Sequence, residues 1–166
     1  MPSSSNKPQD KDLPQLERFL TYRLHLINKV SDRDTAAAYA SEVGLAIGEA
    51  RCLAAIGRFA PLSVNDVARA ANLNKGQASR CAQALVDQGL VSKQTSPVHG
   101  RGVVLTPTRK GRAVYVRVIE LIYRRNDEVF GCLSESEQRE FGSMMDRIIA
   151  TMNIEPGSDA GGGLSP

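Results

Sequence analysis

The chain has 166 residues, a length that suits one domain with a hydrophobic core, with or without added dimerisation helices. Hydrophobic residues make up 42% and charged residues 23%, as in ordinary globular proteins, and the lack of tryptophan predicts an aliphatic core. No apolar run approaches the roughly 18 residues that a membrane span needs. Residues 1–11 lack the apolar region of a signal peptide, so we expect a cytoplasmic protein.

The net charge of +3 is unevenly distributed along the chain. Residues 58–125 contain twelve basic and three acidic residues, a net charge of +9, and residues 126–166 contain two basic and eight acidic residues, a net charge of −6. Residues 1–57 are balanced, with seven of each. A positive middle region is typical of a surface that binds a polyanion, although basic patches also occur on solvated faces.

The sequence lacks the residue combinations that are typical of an enzyme active site. No nucleophile has a plausible base, and we find no phosphate-binding glycine loop and no carboxylate pair. Three cysteines, Cys52, Cys81 and Cys132, show no close pairing along the sequence and no histidine cluster, which argues against a zinc site or a disulfide framework. We therefore expect reduced thiols and no metal or other cofactor; a redox-sensing thiol at Cys52 or Cys132 is the alternative.

The N-terminal region predicts three helices. An apolar stripe at three- and four-residue steps predicts the first, from Leu13 to Val30, with Arg18, Tyr22 and His25 on the opposite face. Small residues predict a short second helix, from Ala36 to about Val43. The third runs from about Ile47 to Phe59 and stops before a proline.

Two capped helices follow. Ser63 with Asp66 three residues later predicts a helix to about Ala71, and Asn74 with Gln77 predicts a second one to about Gln88. The short connection between them predicts a fixed interhelical angle. Gly89 follows where a helix ends in left-handed geometry.

After Gly89 the hydrophobic period changes from 3.6 to 2. Val91–Gln94 and Val103–Thr106 predict two strands around a turn. We predict Pro107 in the first turn of a long helix to about Phe130, and Ser134 with Glu137 as the capping box of a last helix to Met152.

The element order predicts a mainly α fold, a winged helix-turn-helix lobe with N- and C-terminal dimerisation helices. Its predicted parts are a flexible tail over 1–11, dimerisation helices over 12–46, the winged lobe over 47–106, the long helix and C-terminal dimerisation helix over 107–153, and a second flexible tail over 154–166.

The second helix of such a motif enters the major groove of DNA with its first residues on base edges. The candidate contacts in the motif are Ser63, Asn74, Lys75, Gly76, Gln77, Ser79 and Arg80. Among these, Gln77 suits adenine, Arg80 suits guanine or a phosphate, Lys75 suits a phosphate, and Asn74 is better suited to capping. The alternative for this helix is a solvated face without a partner.

The turn between the strands holds Arg101 between two glycines, which suits insertion into a minor groove. His99 either donates a hydrogen bond to a DNA phosphate or is only a residue of the turn tip. The alternative for Arg101 is likewise a turn residue that makes no DNA contact. Arg109, Lys110 and Arg112 could contact phosphates at the start of the long helix. A winged helix that binds protein or RNA instead of duplex DNA is a further alternative.

Residues 61–115 resemble the MarR family of bacterial transcriptional regulators. The resemblance rests on the Leu73-Asn74-Lys75 start of the recognition helix, Ser79-Arg80, the segment 85–91, the wing arginine and the "LTPTRKGR" entry to the long helix. His99 departs from the family, which usually has an aspartate there to orient the arginine. The resemblance implies a homodimer that binds a near-palindromic duplex and whose N- and C-terminal helices interlock. The alternative is that the apolar stripes of these terminal helices form a core within one chain.

Many regulators that this chain resembles are repressors released by small aromatic carboxylic acids or their thioesters. The resemblance places such an effector where the dimerisation helices meet the DNA-binding lobe. The candidate residues for it are Arg18, Tyr22, His25, Tyr39 and Arg51, which offer a carboxylate partner, rings and a titratable donor. The alternative is that the first-helix residues are only its solvated face.

Overall fold

In a computed structural model of the chain, residues 14–95 and 102–152 are described. They form α-helices and one two-stranded antiparallel sheet, which confirms the predicted mainly helical fold with a wing. The chain divides into two compact units, residues 1–34 and residues 35–166. None of the helices in the described ranges is long and apolar enough to span a membrane.

The first unit contains a 3₁₀ turn, Leu16–Arg18, and most of helix α1, Leu20–Ala38. The helix predicted from about Leu13 to Val30 has other bounds: Leu13 lies outside the described residues, the α-helix begins at Leu20, and it continues past Val30 to Ala38. Phe19 is extended (φ −69°, ψ 131°), which separates the turn from the α-helix. Beyond Val30 the sequence has neither proline nor glycine until Gly44, so α1 continues.

A π-helical segment, Tyr39–Val43, follows α1 without a break. The predicted separate helix from Ala36 is therefore the end of α1 joined to this segment. The Tyr39 carbonyl accepts hydrogen bonds from the amides of Gly44 (2.9 Å) and Leu45 (3.3 Å). Gly44 closes the segment with φ 74°, a conformation that glycine adopts without strain.

Three helices form the body of the second unit: α2, Ile47–Phe59, α3, Val64–Ala70, and α4, Lys75–Asp87. Both predicted capping boxes are confirmed, at Ser63 for α3 and at Asn74 for α4. Gly89 has φ 69° after the end of α4, as predicted.

The wing consists of β1, Val91–Thr95, and β2, Val103–Pro107. Their register pairs Val91 with Pro107 and Thr95 with Val103. Leu62 joins the sheet by exchanging backbone hydrogen bonds with Leu105 (3.2 and 2.8 Å). The prediction that Pro107 lies in the long helix was wrong, because its partner across the sheet keeps it in β2.

Two more helices complete the described chain: α5, Arg109–Phe130, and α6, Glu135–Thr151. Thr108 caps α5 by accepting a hydrogen bond from the Gly111 amide (3.0 Å). The predicted box of Ser134 and Glu137 at the start of α6 is confirmed.

The core of the second unit lies where α2, α3, α4, β2 and α5 meet. Its largest fully buried side chains are Leu53, Ile56, Leu85, Leu105, Leu121, Val67, Val118 and Cys52. By contrast, neither α1 nor α6 contains a buried residue, although both carry apolar stripes.

Candidate nucleic-acid interface

The helix-turn-helix is formed by α3, the turn 71–74 and α4. Asn72 adopts φ 52° in the turn, a left-handed conformation that asparagine tolerates better than most residues. The Leu73 amide donates to the Ala68 carbonyl (2.9 Å) and closes α3. One face of α4 packs into the core through Ala78, Ala82 and Leu85. This packing determines which side chains of α4 point outward.

The outward face of α4 is polar. Its exposed side chains are Lys75, Gln77, Ser79, Arg80 and Gln83, and Asp87 is exposed at the C-terminal end of the helix. They provide cationic donors for phosphates and amide, hydroxyl and guanidinium groups for base edges. A single helix with this face suits the width of a major groove.

Gln77 is part of the cap of α4. Its amide donates to Asn74 Oδ1 (2.8 Å), and its side-chain Oε1 accepts from the Asn74 amide (3.3 Å). The bidentate contact with adenine that we predicted uses the same Oε1 as an acceptor. Gln77 therefore has to share or release its capping bond in order to contact a base.

Arg80 extends toward the N-terminal end of α4. Its Nη1 lies 3.9 Å from the point where a Cβ on Gly76 would be. Side chains of a helix generally point back toward its N-terminus, so the guanidinium reaches the first turn. This places the guanidinium at the end of α4 that, in helix-turn-helix proteins, lies against the base edges.

Lys93 of β1 reaches the outward face of α4, a contact that our sequence analysis missed. Its Nζ donates to Gln83 Oε1 (2.5 Å), and Gln83 Nε2 donates to Asp87 Oδ1 (2.6 Å). These bonds link the base of the wing to the recognition helix. The sequence gives little indication of this contact, because the end of a helix and a turn separate Gln83 from Lys93.

Ser63 holds the start of α3. Its hydroxyl donates to Asp66 Oδ2 (2.6 Å) and accepts from the Asp66 amide (3.2 Å). The hydrogen bond from Ser63, with help from Arg69, lowers the pKa of the Asp66 carboxyl. Ser63 is half-buried, and contact with a phosphate would compete with this cap.

His99 and Arg101, which the sequence predicts in the turn of the wing, lie outside the described residues. The strands on either side are paired from Val91 to Thr95. Arg109 is exposed as the first residue of α5, so its side chain is available beside the wing.

Lys110 and Arg112 make contacts inside the lobe, although we predicted phosphate contacts for both. Lys110 Nζ donates to the Gln88 carbonyl (3.0 Å), beyond the end of α4. Arg112 Nη1 donates to the Gly57 carbonyl (2.6 Å), and its guanidinium lies 5.6 Å from the centre of the Tyr115 ring. Both side chains therefore hold α5 against its neighbours.

The five predicted effector residues are divided between the two units. Arg18 and His25 are exposed and Tyr22 is half-exposed in the first unit. In the second unit Tyr39 is 3% exposed, and Arg51 is half-buried. Burial raises the pKa of the Tyr39 hydroxyl, and the nearby Arg51 guanidinium opposes this rise. Tyr39 is thus a core residue with a cationic neighbour.

A cavity of about 700 Å³ lies between the π-helical segment and α5, and our sequence analysis missed it. Its lining combines two guanidiniums, two carboxylates and apolar groups: Glu42, Val43, Arg117, Ile119, Glu120, Tyr123 and Arg124. Glu42 accepts from both arginines, through its carbonyl from Arg117 and through its carboxylate from Arg124 (2.5 Å). The spacing of seven residues between Arg117 and Arg124 could have predicted that both lie on the same face of a helix.

The three cysteines are free thiols, as expected. Cys81 of α4 packs against α2, since its Sγ lies 2.9 Å from the point where a Cβ on Gly48 would be. Burial raises the pKa of Cys52 to about 12 and also raises the pKa of Cys81. Across residues 14–95 and 102–152 no group of three or more histidine, cysteine or acidic residues can hold a metal ion.

Residues 43–102 match the model of the MarR family. The HTH-type transcriptional repressor Rv2887 of Mycobacterium tuberculosis is 29% identical over 129 residues, which cover 78% of this chain and 92% of the relative. A MarR-family regulator from Silicibacter pomeroyi has the same fold, with a TM-score of 0.73 at 22% identity over 82% of this chain and 92% of that one.

Two crystal structures of Rv2887 are also similar to this chain. The complex with salicylic acid gives a TM-score of 0.64 at 28% identity, over 83% of this chain and 98% of that one. The complex with DNA gives 0.63 at 27% identity, over 82% and 98%. The match over residues 43–102, together with the capped α3–α4 motif and the paired wing strands, identifies this part of the chain as a winged helix-turn-helix of the MarR family, and the chain as a whole shares the fold of these regulators.

Proposed function

We propose that this protein is a homodimeric repressor that binds a near-palindromic duplex and is released by a small aromatic carboxylic acid. The observation that carries the DNA-binding part is the capped helix α4, which is anchored by three buried side chains and presents a polar face with Lys75 and Arg80 exposed. The net charge of +9 over residues 58–125 supports a polyanionic partner. The similarity to Rv2887, a repressor with a DNA complex, supports the same class.

In this proposal α4 enters the major groove and the wing lies over the adjacent minor groove. Arg80 reads a guanine, Lys75 contacts a phosphate, and Gln77, Ser79 and the backbone at Gly76 lie against base edges or phosphates. Ser63 and Asn74 cap the N-termini of α3 and α4. From the wing, Arg101 enters the minor groove, and His99 and Arg109 approach phosphates.

Fluorescence anisotropy with the protein's own promoter fragment tests this assignment. Arg80→Ala should weaken specific binding by about 1–3 kcal/mol and relax the preference at one base pair. Lys75→Ala should weaken binding to all sequences and lower the salt slope by about 1. The matched control is Arg139→Ala on α6, which removes the same charge from an exposed side chain that pairs with Glu135 (3.6 Å). Equal affinities for Arg80→Ala and Arg139→Ala would contradict the proposal.

The wing has its own test, because its tip is assigned only from the sequence. Arg101→Ala should weaken binding roughly ten-fold or more at constant salt. His99→Ala tests the other residue of the turn. If His99 donates to a phosphate, its loss should lower both the affinity and the salt slope. If it is only a residue of the turn tip, both should stay unchanged. An unchanged dissociation constant in Arg101→Ala removes the wing from the mechanism.

The effector part of the proposal is supported by the salicylic acid complex of Rv2887. Arg18, Tyr22, His25, Tyr39 and Arg51 remain the proposed site. The cavity beside α5 is a second location, where a carboxylate would have to displace Glu42 from Arg124.

Calorimetry with salicylate and a panel of benzoates, hydroxycinnamates and hydroxylated nicotinates tests the effector and its location. An effector should release heat and lower DNA affinity in the wild type. Arg18→Ala abolishes both effects if the proposed site binds the carboxylate, whereas Arg124→Ala abolishes them if the cavity does. No heat with any of these acids, and no loss of DNA binding, defeats the aromatic-acid proposal and leaves the DNA-binding part standing.

A further inference from the structure

The base of the wing contacts the recognition helix through a chain of two hydrogen bonds. Lys93 Nζ of β1 donates to Gln83 Oε1 of α4 (2.5 Å), and Gln83 Nε2 donates to Asp87 Oδ1 one turn later (2.6 Å). All three side chains are exposed. We call these three residues the wing bridge. It joins the two elements that, in the proposed function, contact neighbouring grooves of DNA.

The pairing of the strands directs Lys93 toward the lobe. Lys93 lies opposite Leu105 in the register, and Leu105 is fully buried. Residues opposite one another share a face of the sheet, as do residues two apart along a strand, and Val91 is buried as well. Lys93 is therefore on the inner face of the wing. Because its own side chain is exposed, it lies where that face leaves the core.

The two hydrogen bonds of the Gln83 amide fix its orientation. Its oxygen accepts from an ammonium and its nitrogen donates to a carboxylate, whereas a reversed amide would place donor against donor and acceptor against acceptor. A bidentate contact with adenine needs the same oxygen and nitrogen. Gln83 would have to give up both bonds to read a base, although it lies on the outward face of α4. The geometry favours a positioning residue over a base-reading one.

Lys93, by contrast, has donors left for a partner. An ammonium has three N–H donors, and within residues 14–95 and 102–152 it donates to Gln83 alone. The bond to Gln83 holds this flexible side chain in place before DNA binds, which lowers the entropy lost on binding. The Asp87 carboxylate, bonded to the other end of the amide, offsets part of the lysine charge. The wing bridge therefore supplies a fixed position more than a general attraction.

We propose that Lys93 contacts the backbone phosphate between the two grooves that this protein occupies, and that Gln83 positions it. This inference rests on the proposed function, with α4 in the major groove and the wing over the adjacent minor groove. One sugar-phosphate strand separates neighbouring grooves, so the place where the wing meets α4 faces that strand. The contact fixes the spacing between the two groove contacts, since phosphate contacts set the register of a protein on DNA.

Methylphosphonate replacement of one phosphate at a time, in the protein's own promoter fragment, tests the contact with Lys93. In the wild type one replacement per half-site, between the two grooves, should weaken binding roughly ten-fold, because a charged hydrogen bond is lost. Lys93→Met should bind the unmodified fragment roughly ten-fold more weakly, lower the salt slope by about 1 per subunit, and be insensitive to that replacement. The matched control is Lys110→Met, since Lys110 Nζ donates to the Gln88 carbonyl inside the lobe (3.0 Å). It should keep the sensitivity of the wild type.

Gln83→Leu tests the positioning role, because leucine keeps much of the side-chain volume and removes both hydrogen bonds. It should weaken binding about five-fold in the wild type and have no further effect in Lys93→Met, since Gln83 acts through Lys93. The preference at every base pair should stay unchanged. Additive effects of the two substitutions, or a relaxed preference at one base pair, would instead show that Gln83 reads a base.

Two results separate this inference from the proposed function. Tight binding of the wild type to its promoter fragment, with no sensitive phosphate between the grooves or with equal affinities for Lys93→Met and Lys110→Met, overturns the role of the wing bridge and leaves the regulator standing. A wild type without preference for that fragment over random competitor overturns both. Circular dichroism reports whether each variant is folded, and the phosphate scan of the wild type decides the question without any variant.

Discussion

Burial sets the chemistry of Cys52. The raised pKa means that the folded chain keeps this thiol protonated up to about pH 12, whereas an unfolded chain ionises it near 9.0. Between these values the folded state holds one more proton than the unfolded state, so stability falls as pH rises. Below pH 9 the contribution is fully present, because both states are protonated.

We therefore predict an alkaline loss of stability that depends on Cys52. Between pH 9 and 11 the free energy of unfolding should fall by about 1.4 kcal/mol per pH unit more in the wild type than in Cys52→Ala. Urea unfolding at several pH values measures this difference. Parallel curves for the two proteins would show that Cys52 is not protected from ionisation.

Arg112 lies near the proposed DNA-binding surface, but its contacts are with other residues of the lobe. Its bond to the Gly57 carbonyl and its place on the Tyr115 ring tie α5 to α2. Arg112→Ala should lower the free energy of unfolding by about 1–2 kcal/mol, because a charged hydrogen bond is lost at a partly exposed site. Thermal unfolding measures this effect.

The neighbouring Arg109→Ala serves as the matched comparison. Arg109 is exposed at the start of α5, so its loss should leave stability unchanged within about 0.5 kcal/mol and lower the salt slope of DNA binding by about 1. Arg112→Ala should not lower that slope. A reduced slope in Arg112→Ala would instead favour the phosphate contact that the sequence suggested.

At the scale of elements, α2 and α5 pack closely because α2 has a glycine at the contact. A Cβ on Gly57 would lie 2.2 Å from the Tyr115 ring, and one on Gly111 would lie 1.8 Å from the Leu90 carbonyl oxygen. Neither position can carry a side chain unless α5 moves. The bonds that hold α5 in the lobe depend on this close approach.

We predict opposite effects for two glycine-to-alanine substitutions in helices. Gly57→Ala should destabilise the protein by about 1–3 kcal/mol, because the new methyl overlaps an aromatic ring. Gly142→Ala in α6 meets no atom within 4 Å and should stabilise it by about 0.5–1 kcal/mol through helix propensity. Chemical unfolding of both variants checks this pair, and similar effects at the two sites would contradict the packing argument.

At the scale of the whole molecule, the apolar faces of α1 and α6 are left uncovered in a single chain. Leu20 and Leu24 of α1 are 69% and 48% exposed; Ile148 of α6 and Met152, which follows its last residue, are 52% and 64% exposed. Exposed apolar surface of this kind is typical of an interface between subunits. These faces support the proposed homodimer, in which each would be buried.

We predict that Ile148→Glu converts a dimer into a monomer. A charge at a buried apolar contact costs several kcal/mol, so sedimentation at micromolar concentration should show the single-chain mass. DNA binding should weaken with the loss of the second half-site. The control is Ser143→Glu, which adds the same charge to an exposed position of α6. A wild type that already sediments as a monomer would favour the alternative of an intramolecular core for these stripes.

Features that depend on near neighbours in the chain could be predicted from the sequence. The capping boxes at Ser63, Asn74 and Ser134, the helix over Ile47–Phe59 and the left-handed Gly89 all involve residues within a few positions of one another. Their hydrogen bonds form locally, so their patterns can be recognised in one sequence. The wing strands and the mainly helical class followed from periodicity in the same way.

Which distant groups meet depends on how the helices pack. Pro107 joined a strand because Val91 pairs with it, and the exposed Arg112 bonds within the lobe because the Gly57 carbonyl lies within its reach. The approach of Cys81 Sγ to Gly48 likewise depends on how α2 packs against α4. Such contacts join residues 16 to 55 positions apart in the sequence, and no local pattern encodes them. The side chains that can contact DNA are therefore known only once the lobe has packed.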